Sequence, residues 1–120
     1  MGKRRELRLY LLLTVKVWGT DASGKRFEQH AKTIDLTATG VRLGEVHHSV
    51  EPGTILHLQH RDSMARFRVR WIGKDKSAGQ IGLELLKGEK FDWGRRIPSI
   101  PGDAFTDERI DKHVDFKYLR

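Results

Sequence analysis

Two short stretches of this 120-residue chain gather side chains suited to holding an anion. Lys3-Arg4-Arg5-Glu6-Leu7-Arg8 sets three arginines close together. Each guanidinium is a planar fork of donors that meets a phosphate, or paired acceptors, two bonds at a time. Asp35-Leu36-Thr37-Ala38-Thr39-Gly40 adds a carboxylate that accepts, a hydroxyl that donates or accepts, and a glycine that allows close backbone approach. Both stretches also have a plainer reading. A basic N-terminus is often only solvated charge, and Asp and Thr in a turn commonly bond their own backbone.

Composition agrees with an anionic partner without choosing one. The chain has 23 Lys+Arg against 16 Asp+Glu, a formal charge of +7. That balance favours nucleotides, nucleic acid or an anionic membrane face. Apolar residues make up 38% and charged residues 32%, as in a globular chain of one domain. There is no cysteine, which excludes disulfides and thiolate metal sites and is compatible with the cytoplasm. The apolar run Leu9 to Val17 is shorter than the about 20 residues a membrane span needs, and it passes into the strand-like alternation Thr14-Val15-Lys16-Val17-Trp18.

The elements that must position these groups read as strands. Turn residues recur about every ten to fifteen positions: Gly19 to Gly24, Thr39-Gly40, Glu51-Pro52-Gly53 and Gly73 to Gly79. Between them lie Phe27 to Ile34, Val41 to Leu43, Thr54 to Gln59, Met64 to Ile72 and a last strand starting at Ile81. In Met64 to Ile72 the alternation puts Ala65, Phe67, Val69 and Trp71 on one face and Arg66, Arg68 and Arg70 on the other. This pattern predicts an all-β fold, an antiparallel barrel of six or seven strands. Past the breaker-rich link Pro98 to Gly102, Thr106 can cap a helix on which Ile110, Val114 and Tyr118 form one stripe. The expected organisation is a flexible basic segment over 1–10, the barrel over 11–97, and a linker with a C-terminal α-helix over 98–120.

In this order and spacing, Arg4-x-x-x-Arg8 followed by Asp35-x-Thr37-x-x-Gly40 resembles the two-part signature of PilZ domains, an arginine pair and then Asp/Asn-x-Ser-x-x-Gly. The likeness extends through Trp18-Gly19, Gly24-x-x-Phe27, Pro52-Gly53, Phe67-x-Val69-x-Trp71-Ile72-Gly73 and Ile81-Gly82-Leu83-Glu84. It implies a split-barrel receptor for the bacterial second messenger cyclic di-GMP, with Arg4, Arg8, Asp35, Thr37 and Gly40 as ligand contacts and Arg5 as an additional one. The chemistry suits that ligand. An arginine fork matches guanine O6 and N7, guanidiniums pair with the two phosphates, and Asp35 would accept from guanine N1–H and N2–H. The family serine is Thr37 here, which keeps the hydroxyl and adds a methyl.

The resemblance further implies a cytoplasmic, non-enzymatic adaptor with no cofactor, a monomer or weak dimer. Its arginine segment would fold over the barrel mouth on binding and present a changed surface to a protein partner. Two alternatives stay open: a PilZ-like interaction domain without nucleotide, and a basic barrel that binds single-stranded nucleic acid through Arg66, Arg68 and Arg70. The second is disfavoured because stacking aromatics do not alternate with those arginines. The six histidines His30, His47, His48, His57, His60 and His113 show no metal-ligand spacing. No nucleophile elbow or phosphate-cradling glycine loop is present.

Overall fold

The computed structural model describes residues 4–94 and 99–101. Its strands are β1 (Arg4–Glu6), β2 (Thr14–Thr20), β3 (Arg26–Leu36), β4 (Gly40–Gly44), β5 (Ile55–His60), β6 (Ser63–Ile72), β7 (Ile81–Leu85) and β8 (Ser99–Pro101). β2, β3, β4, β7, β6 and β5 close, in that order, into a barrel in which every neighbouring pair is antiparallel. The expected antiparallel barrel of six or seven strands is therefore present, with six strands. Among the described residues no helix is long and apolar enough to cross a membrane. The expected C-terminal helix at Thr106 to Tyr118 lies outside the described residues.

Period-two burial builds the barrel. Val15 and Val17 of β2, Leu56 and Leu58 of β5, and Ala65, Phe67 and Val69 of β6 point inward and are buried, while their sequence neighbours face out. Turn chemistry joins the strands. In the β2–β3 hairpin, Asp21 Oδ1 accepts from Ser23 N, Ser23 Oγ and Lys25 N, and Gly24 takes φ 88°. Phe91 and Trp93 form a cover, with Phe91 edge-on to Phe67 and Trp93 tilted against His60.

The N-terminal arm belongs to the core. Leu7, Leu9 and Leu11 are buried, alternating with exposed Arg8, Tyr10 and Leu12. Leu9 and Leu36 exchange both backbone bonds, at 2.8 and 2.9 Å. Buried Thr33 holds the next turn of the arm: its hydroxyl donates to Leu11 O and accepts from Leu13 N at 2.8 Å. Upstream, β1 pairs with β8, so residues 99–101 form a strand within what reads in sequence as a link. From Leu7 onward the arm thus packs into the core through its own alternation.

Candidate functional site

Two β-bulges aim the site. On β3, Thr33 stands opposite Leu43 and Asp35 opposite Arg42, so two steps on β3 match one on β4 and Ile34 is the extra residue. On β6, Val69 stands opposite Leu83 and Trp71 opposite Gly82, which makes Arg70 the extra residue. Without its bulge, each strand would carry Asp35 or Trp71 inward beside Thr33 or Val69. The inserted residue turns each side chain to the outer face instead. Because Arg42 also stands opposite Gly82, Asp35, Arg42, Gly82 and Trp71 form one row across β3, β4, β7 and β6.

Trp71 accordingly corrects the expectation that it shares a face with Ala65, Phe67 and Val69. It is 39% exposed, whereas those three are buried. Its indole lies over Gly82, where a Cβ would come within 2.2 Å of Nε1.

Asp35 is 6% exposed despite facing outward. The Arg42 guanidinium covers it and donates to Oδ2, and Arg8 Nε lies 4.0 Å from the same oxygen. Arg8 reaches this point because the Leu9–Leu36 backbone pair sets its own position next to the end of β3. Thr37 closes the β3–β4 turn. Its Oγ1 accepts from Gly40 N at 3.0 Å and Thr39 N at 3.3 Å, so a ligand would meet the hydroxyl as a donor. Gly40 lies close to β7: a Cβ there would stand 3.2 Å from Leu83 O, so the two strands would have to give by a few tenths of an ångström to admit one.

Arg8, Asp35, Thr37 and Gly40, four of the six residues singled out from the sequence, line one cleft of about 390 Å³. Arg4 and Arg5 lie in β1, opposite Pro101 and Ile100. Arg42, Arg70, Trp71 and Gly82 complete the lining; of these, the sequence points only to Arg70, as part of the Arg66, Arg68 and Arg70 ladder of the nucleic-acid alternative. Cross-strand register is the signal that finds Arg42, since a tight turn at Thr37–Gly40 sets it opposite Asp35. The cleft thus offers guanidiniums, one carboxylate and an exposed indole face, a combination that suits an anion carrying a flat polar ring.

The three arginines of β6 are held within the chain. Arg66 pairs with Glu89 at 2.9 Å, Arg70 with Glu84 at 3.2 Å, and Arg68 donates to Gly53 O at 3.4 Å. A larger concavity of about 550 Å³ lies beside Trp18, which stacks on His57 at 5.2 Å between ring centres. Among the described residues no three His, Asp or Glu side chains are grouped to hold a metal ion. In comparisons with known proteins, the chain matches no protein-family model and no curated protein.

Proposed function

We propose that this chain is a cyclic di-GMP-binding module of the PilZ kind, a single-domain cytoplasmic receptor that passes a ligand-induced change of surface to a protein partner. The observation that carries the reading is the convergence of Arg8, Asp35, Thr37 and Gly40 on one cleft beside Arg42 and the exposed face of Trp71. The cleft volume falls at the lower end of the range of about 300–1,000 Å³ usual for small-ligand sites. Guanidiniums pair with the two phosphates, Asp35 accepts from the donor edge of one guanine, and the indole stacks on a base. Arg4 and Arg5, on the strand just before Leu7, join from the arm.

A ligand-free interaction domain is the second reading. It is favoured by the fact that Asp35 and Thr37 are already satisfied within the chain, by Arg42 and by the turn amides. Calorimetric titration with cyclic di-GMP decides between the two. Saturable heat that disappears in the Arg4→Ala, Arg8→Ala double variant supports the receptor. Absence of heat at high micromolar ligand sinks it, and binding that survives the double variant moves the site elsewhere.

A further inference from the structure

We infer that Arg42 is a positioning residue for base selection: by holding Asp35 through Oδ2, it aims the carboxylate at a guanine and against an adenine. This rests on the cyclic di-GMP reading and adds to it a residue and a role.

Among the described residues, both ion pairs of Asp35 use the same oxygen. The Arg42 guanidinium hydrogen-bonds Oδ2, and Arg8 Nε approaches it only to 4.0 Å. The two cations differ in how they reach the carboxylate. Arg42 stands on β4 directly opposite Asp35 in the ladder, with Gly82 opposite it on the other side, so the backbone of two strands sets its origin. Arg8 lies on the irregular arm, with a side chain 54% exposed. Arg42 is therefore the group that fixes the carboxylate's rotation, and it leaves Oδ1 as the oxygen to meet a ligand.

A carboxylate only accepts hydrogen bonds. The Watson–Crick edge of guanine presents N1–H and N2–H side by side, both donors. Adenine has a lone pair at N1 and no amino group at C2, so the same carboxylate faces it with repulsion and no bond. A rigidly held Asp35 selects guanine by both effects. Once released from Arg42, it can turn toward Arg8 or the Thr37 turn, and the selection weakens.

The test compares cyclic di-GMP with cyclic di-AMP on the full chain, by direct titration and by competition, in wild type, Arg42→Gln and Arg42→Lys. The expected result is that Arg42→Gln weakens cyclic di-GMP by about tenfold or more, while cyclic di-AMP is unchanged or improved, so the preference collapses. Arg42→Lys keeps the charge but not the fork, and falls between the two. It also carries the test if Arg42→Gln does not fold, as judged by its melting curve. Equal weakening of both ligands, with the salt dependence reduced by about one unit, would make Arg42 a phosphate contact and overturn the inference. An unchanged preference overturns it too. Wild type that binds neither cyclic dinucleotide sinks the receptor reading, and the inference with it.

Discussion

Trp71 and Gly82 stand opposite each other on β6 and β7, and the indole occupies the space that a Cβ on Gly82 would need. The pairing depends on both residues. The bulge at Arg70 brings Trp71 outward, and the missing side chain at Gly82 lets the ring settle against the sheet beside Arg42. An aromatic platform, a cationic fork and a carboxylate thereby share one row.

Gly82→Ala should therefore displace the platform while sparing the barrel. Trp71 is exposed enough to swing aside, so the melting temperature should shift by only a few degrees, equivalent to about 1 kcal/mol or less. Stacking on an aromatic ring is worth about 1–3 kcal/mol per base, so cyclic di-GMP affinity should fall about tenfold or more. Tryptophan fluorescence and calorimetry on the same sample check both halves. An unchanged affinity would remove Trp71 from the site.

Thr33→Val keeps the shape of the side chain and deletes the hydroxyl that bridges Leu11 O and Leu13 N. Leaving these buried backbone groups unpaired should cost about 1–3 kcal/mol, read as a lower denaturant midpoint at unchanged slope. Because the same arm carries Arg8, ligand affinity should drop together with protection of the Leu13 amide against hydrogen exchange. Stability equal to wild type would show that the arm is held by its leucines alone.

Glu89 sets an acid-sensitive tie between the segment after β7 and the outer face of β6. The Arg66 backbone N–H, then the Arg66 guanidinium by hydrogen bond and charge, hold its carboxyl below the ordinary range. A carboxyl lowered in the folded state adds stability that is complete above its unfolded pKa and is lost as pH falls through its folded value. Glu89→Gln should accordingly be less stable than wild type near neutral pH and indistinguishable from it in strong acid. Urea midpoints of the two proteins across that range test this, and a constant gap would refute it.

Much of the barrel is legible in the chain. Val15 and Val17, Leu56 and Leu58, and Ala65, Phe67 and Val69 are buried as their alternation predicts, because period-two burial is a local property of an extended chain. The Asp21 to Gly24 loop and the Thr37–Gly40 turn follow from residue types that bond their own backbone. Arg8, Asp35, Thr37 and Gly40 could likewise be picked out as one set from their chemistry and order, and they line one cleft.

The faces on which Trp71 and Asp35 stand, and the part that Arg42 plays, were not legible in this way. Strict alternation assigns Trp71 to the core with Val69, and it sets Asp35 on the same face as Thr33. Neither assignment survives, because a bulge exists only relative to a partner strand: Leu83 and Gly82 define the one at Arg70, and Leu43 and Arg42 the one at Ile34. Arg42 by itself reads as one more solvated charge on a short strand, and it gains meaning only when β3 and β4 pair. The residue types that can grip an anion, and the spacing that makes strands, are thus properties of the sequence alone. Which face each gripping residue shows, and beside which neighbour, was decided by the tertiary structure, since side-chain direction past a bulge is set by the register between two paired strands.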